Sequence, residues 1–163
     1  MDPIPITTSG TYEARATELF PDVYIITPAE CADGEYFLIE NRQPIPDDFD
    51  ERFWEPGGIT IYHIDENNLF VDGFGNSPRG GPFQNGWPEN GNHYPVALLQ
   101  ADGLYELEQS LNNGHIEDVY DVNANPILTP GAGNPTPYPN TGTCMFFQEN
   151  VILHLYHSFD GLS

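Results

Sequence analysis

The chain has 163 residues and a mass of 18.2 kDa, the size of one domain with room for a real core. Four basic residues, all arginine (Arg15, Arg42, Arg52 and Arg79), face 25 Asp and Glu, giving a formal charge of −21 and no lysine. A nucleic-acid partner is disfavoured, because a phosphate backbone is held by clustered Lys and Arg, and an anionic membrane surface is disfavoured for the same reason.

Aromatic content of 13% and hydrophobic content of 39% are too high for a solvated acidic tail, so a packed single domain over residues 1–163 is expected. Sixteen Gly and sixteen Pro punctuate the chain too often for long helices, which points to a β-rich, loop-heavy fold. No apolar run reaches the roughly 20 residues that span a bilayer. The opening Met1-Asp-Pro-Ile-Pro5 lacks the basic and apolar regions of a signal peptide, so the expectation is a cytosolic chain or an internal piece of a longer one.

In chain order, short apolar runs of strand length fall at 10–19, 22–27, 35–42, 58–65, 94–100 and 150–157. The strongest is Gly58-Ile-Thr-Ile-Tyr-His-Ile-Asp65. Its period of two puts Ile59, Ile61, His63 and Asp65 on one face and Thr60, Tyr62 and Ile64 on the other. One short helix is predicted at about 103–112: Asp102 as N-cap, Leu104, Leu107 and Leu111 at helical spacing, and Gly114 as C-terminal cap. Stretches 72–92 and 123–142, dense in Gly, Pro and Asn, read as long loops. The predicted architecture is mainly β, an antiparallel β-sandwich-like domain with long Gly/Pro-rich loops.

The chemistry-bearing motifs are sparse. Residues His63, His93, His115, His154 and His157 are followed by Ile, Tyr, Ile, Leu and Ser, so no His-Glu-x-x-His zinc helix is present. His154 and His157 would face opposite sides of a strand. There is no Gly-x-Ser-x-Gly, no phosphate loop and no dinucleotide fingerprint. Cys31 and Cys144 permit one disulfide, which would close a loop worth about 4–5 kcal/mol in the chain-entropy model. Acidic clusters at Asp47-Asp-Phe-Asp-Glu51, Asp65-Glu-Asn-Asn68 and Glu117-Asp118 with Asp121 suit either a hard cation such as calcium or a solvated face. None has helix-loop-helix calcium spacing. Glu40 and Arg42 share one strand face and suit a structural ion pair, and His63 suits a hydrogen-bonded structural histidine.

Three stretches in this order, Glu35-Tyr-Phe-Leu-Ile-Glu-Asn-Arg-Gln43, Gly57-Gly-Ile-Thr-Ile-Tyr-His-Ile-Asp-Glu66 and Val96-Ala-Leu-Leu-Gln-Ala-Asp-Gly103 with Leu107-Glu108, resemble the immune inhibitor A family of secreted zinc metallopeptidases. The resemblance covers about residues 10–158, downstream of that family's zinc helix and methionine turn. It implies a non-catalytic β-rich portion of a secreted metallopeptidase, inactive alone, with the N-terminal catalytic half as its packing partner. Zinc would belong only to that missing half. Calcium is implied as a structural ion, with Asp65, Asp102 and Asp118 the carboxylates in matching stretches. Asn113-Gly-His-Ile-Glu-Asp118 departs from the family's acidic run after the helix. The alternative function is a stand-alone calcium-dependent module that binds carbohydrate or protein through Phe83, Trp87 and Tyr94.

Overall fold

The computed structural model describes residues 2–8, 10–29, 31–46, 57–68, 95–107, 109, 111–120 and 153–156. These residues are mainly β. Among the described residues there are seven strands: β1 (Ile4–Pro5), β2 (Gly10–Glu13), β3 (Tyr24–Ile26), β4 (Glu35–Arg42), β5 (Gly58–Asp65), β6 (Val96–Leu98) and β7 (Leu153–Tyr156). Five form one sheet in the order β1-β3-β4-β5-β6, and β2 pairs with β7 in a second.

The long central pair follows directly from period-two patterning. Along β4, residues alternate strictly between buried and half-buried. Antiparallel register runs from Glu35 opposite Asp65 to Arg42 opposite Gly58. One face therefore gathers Phe37 and Ile39 of β4, Ile59 and Ile61 of β5, Tyr24 and Ile26 of β3 and Ala97 of β6. With Ile6, Ala14, Leu99, Ala101, Tyr105 and Tyr120 these make the core. β5 is also buried at Thr60 and Ile64 on its second face, so the centre of the sheet is covered on both sides.

The sheet is mixed rather than wholly antiparallel. β1 runs parallel to β3, and β2 runs parallel to β7. Pro5 is tolerated because it lies on an edge strand: Ile4 and Ile6 donate to Val23 and Ile25, at 2.8 and 2.9 Å, leaving the proline nitrogen without a ladder bond to make. At the far end of β5, Ile59 and Tyr120 exchange two main-chain bonds of 3.0 Å. That close approach requires Gly58, since a Cβ there would lie 2.9 Å from the Tyr120 carbonyl oxygen.

The helix expected at 103–112 does not form; the described residues of this stretch make turns. Tyr105 has φ of +55°, outside the helical region, and it is Tyr105 rather than the leucine stripe that is buried. Leu104 and Leu111 are 56% and 66% exposed, so the apolar face that would have stabilised a helix packs on nothing among the described residues. Side-chain amides supplement the main-chain bonds: Gln100 Oε1 accepts from Glu106 N, and Gln109 Nε2 donates to the Leu104 carbonyl. Asp102 does cap, accepting from Leu104 N at 2.9 Å, but it caps a turn. The described helical residues are two single 3₁₀ turns, Glu66–Asn68 and Ile116–Asp118. Among the described residues no helix is long and apolar enough to cross a membrane.

The stretch after β2 is fixed by charge. Arg15 grips Asp22 with both ends of its guanidinium, Nε to Oδ2 at 2.6 Å and the second nitrogen to Oδ1 at 2.8 Å, while stacking 4.2 Å over the Phe20 ring. The Arg15 hydrogen bond holds the Asp22 carboxyl below its ordinary range against the opposing effect of burial. A depressed folded-state pKa means stability that is present above the unfolded value of about 3.9 and is lost as pH falls through the lower, folded value. Arg15→Met therefore raises the Asp22 midpoint in an NMR titration and moves acid unfolding to higher pH; an unchanged midpoint contradicts the pairing.

Candidate functional site

The two ends of the inner sheet face carry different polar groups, and strand geometry separates them. At one end, Glu35 and Asp65 stand opposite each other, with His63 two positions along β5 and opposite Phe37. His63 is completely buried, its ring 5.3 Å from that of Phe37 and its Nε2 3.9 Å from Glu35 Oε1. Glu35 Oε2 accepts from Ala32 N at 3.1 Å, and Asp65 Oδ1 accepts from Asn67 N at 2.9 Å. These bonds close the turn before β4 and the 3₁₀ turn after β5. His63 thus sits between an aromatic ring and a carboxylate.

At the other end lies Asp118, 1% exposed, anchored through Ala101 N to its carbonyl and through its own Oδ2, which accepts from His115 N at 2.6 Å. Its second oxygen, Oδ1, is buried with no hydrogen-bond partner among the described residues. Burial pushes the Asp118 carboxyl up, and the nearby charges of Asp102 and Glu106 push it further. Tyr120 has its hydroxyl pushed up too, chiefly by desolvation and then by Tyr105 and Asp102. An ionised buried carboxylate with an open oxygen and two like-charged neighbours is an environment that a cation would relieve.

The three calcium ligands expected from sequence therefore divide. Asp102 and Asp118 are electrostatic neighbours, and Glu106, which no sequence motif singles out, joins them. Asp65 sits six residues along β5 from Ile59, the residue bridged to Tyr120, about 20 Å away at strand rise. Among the described residues no group of three or more His, Cys, Asp or Glu side chains is arranged to hold a metal ion.

The outer face carries a third group. Arg42 Nε lies 3.3 Å from Glu18 Oε1 and its Nη1 lies 3.7 Å from Glu40 Oε1. The expected Glu40 and Arg42 contact is present, but a second carboxylate, Glu18, approaches more closely. Burial pushes the Glu40 carboxyl up, partly countered by Arg42 and by the hydroxyl of Tyr62.

No family model, curated protein or solved structure matches the chain.

Cys31 is in a disulfide and packs against the core; Cys144, the sequence's other cysteine, lies outside the described residues. So do the Asp47–Glu51 cluster, Asp121, His93, His157, and the Phe83, Trp87 and Tyr94 platform. His154 pairs with Thr11 in the register of β7 on β2.

Proposed function

We propose that this chain is the non-catalytic β-rich portion of a secreted zinc metallopeptidase of the immune inhibitor A type, serving as structural support with a bound calcium ion. The observation that carries the reading is the convergence of the three family-like stretches. Glu35–Gln43, Gly57–Glu66 and Val96–Gly103 contain β4, β5 and β6, which are consecutive neighbours in one sheet. Motifs that are scattered in sequence thus make a single hydrogen-bonded unit.

Calcium is assigned to Asp118 and Asp102, with Glu106 beside them. Calcium takes six to eight oxygens and fills its shell with main-chain carbonyls and water. Asp118, with one open buried oxygen, and Asp102 would supply part of that shell, and the ion would offset the like-charge repulsion that burial strengthens. Asp65 is left out of this site by its position.

The test uses the purified full chain. Calcium at 100 times its dissociation constant raises the unfolding free energy by about 2.7 kcal/mol, because it binds only the folded state. Asp118→Asn abolishes that response while the unliganded protein keeps its stability or gains some, since a buried charge is removed. Casein is not cleaved with or without added zinc. Tight stoichiometric zinc, casein hydrolysis, or a calcium response unaltered in Asp118→Asn contradicts the reading.

A further inference from the structure

The outer-face group is a problem in charge balance. One guanidinium serves two carboxylates, and all three side chains are largely withdrawn from water: Glu18 is 3% exposed, Glu40 15% and Arg42 23%. The trio carries one excess negative charge. Two carboxylates that share a partner cannot both ionise at ordinary cost, so one of them becomes the proton acceptor.

Which one follows from their surroundings. Glu18 is the nearer to Arg42, and its two oxygens also face the Gln43 main-chain N–H, each at 3.3 Å. Both contacts bring a donor to its carboxylate. Glu40 has the longer ion pair and stands opposite Thr60, in the strand next to Tyr62. Among the described residues, the charged and titratable groups facing it are Arg42 from its own strand, Tyr62 from β5, and Glu18 from the turn at 16–20. Tyr62 is a neutral phenol, its hydroxyl pushed up by burial and by Glu40 itself.

Glu18 also ties together two parts of the fold. The turn that carries it is bonded internally from Leu19 and Phe20 N–H to the Ala16 carbonyl, and it docks on β4 where Thr17 N and Oγ1 both donate to the Asn41 carbonyl at 2.9 and 3.0 Å. Arg42 and Gln43 then receive Glu18 from the adjoining positions.

We propose that Glu18, Arg42 and Glu40 form a proton-operated clasp: Glu40 takes up a proton as pH falls, Arg42 shifts from Glu40 towards Glu18, and the 16–20 turn is held more tightly on the end of β4. The sign follows from linkage. A carboxyl that binds its proton more strongly in the folded state than in the unfolded one adds stability as pH falls towards its folded midpoint, the reverse of Asp22. Each unit by which that midpoint exceeds the unfolded value of about 4.3 corresponds to about a tenfold gain in the folding equilibrium on protonation. Acidification thus closes the clasp before it releases the Arg15 and Asp22 pair.

The experiment is a carbon-detected NMR titration of the Glu18 and Glu40 side-chain carboxyls in the intact chain, combined with hydrogen exchange at the Thr17 N–H corrected for intrinsic rate. Glu40 is expected to titrate above about 4.3, with Thr17 protection rising through the Glu40 midpoint. Glu40→Gln, which mimics the protonated form, holds Thr17 at the high-protection level at neutral pH, whereas Glu18→Gln loses that protection at every pH. Glu40 titrating at or below about 4.3, or Thr17 protection flat through its midpoint, overturns the proposal. So does a Glu40→Gln chain that is less stable than the wild type at neutral pH or does not fold, and the wild-type titration decides the matter independently of any variant.

Discussion

Phe37→Ala lowers the free energy of unfolding by about 3–5 kcal/mol. The ring is 2% exposed at the middle of the longest strand pair, flanked in register by Ile26 on one side and His63 on the other. Removing it strands the His63 imidazole beside a void as well as deleting apolar contact, and the surrounding strands cannot collapse because their main-chain ladders fix their spacing. Against a total of about 5–15 kcal/mol for an ordinary domain, the variant is left near the threshold of folding. Urea unfolding checks this: the midpoint falls with little change in slope. A loss below about 1 kcal/mol means that Phe37 does not sit at the centre of the core.

Asn41→Ala is expected to cost about 2–4 kcal/mol, although it removes little apolar surface. Asn41 is fully buried on the inner face, where its Nδ2 donates to the Ala14 carbonyl at 2.7 Å and its Oδ1 accepts from Gln43 Nε2 at 2.7 Å. Alanine leaves that carbonyl and that amide buried with no replacement. Asn41→Asp is worse than Asn41→Ala, because it keeps the acceptor, loses the donor and adds an ionised group to an interior that holds few cations. Equilibrium unfolding of both variants gives the comparison; an Asn41→Asp chain more stable than Asn41→Ala contradicts the bonding pattern.

Both positions show how the fold relates to the sequence. β4 and β5 are legible as strands from their eight-residue runs, and the strict alternation of β4 leaves one register for burying Phe37 and Ile39 against Ile59 and Ile61, although β5 is buried on both faces. β3, β6 and β7 are legible as to type, and the structure trims β3 and β6 to three residues each. β1 is not, because Pro3 and Pro5 argue against a strand unless the edge position is known. The helix expected at 103–112 fails on period: Leu104, Leu107 and Leu111 match helical spacing, but the burial of Tyr105 at positive φ overrides it.

The polar groups are harder to read for a related reason. Asn41, Gln100 and Glu18 do their work through partners that only the fold supplies, 27, 6 and 25 residues away in sequence. Asp102 and Asp118 are picked out by a resemblance, and their proximity comes from the main-chain bond that Ala101 makes to Asp118. No spacing rule contains that bond. Asp65 belongs to the same expectation and ends elsewhere because a strand carries its two termini apart.

The proposed place of this chain in a secreted peptidase is tested most directly on the protein that carries it in the organism that makes it. An antibody raised against residues 35–66, followed by blotting and a casein gel, is expected to find in the culture medium a species well above 18.2 kDa whose band clears casein and stops doing so with a zinc chelator. A species of 18.2 kDa alone, with no chelator-sensitive clearing at its position, contradicts the assignment.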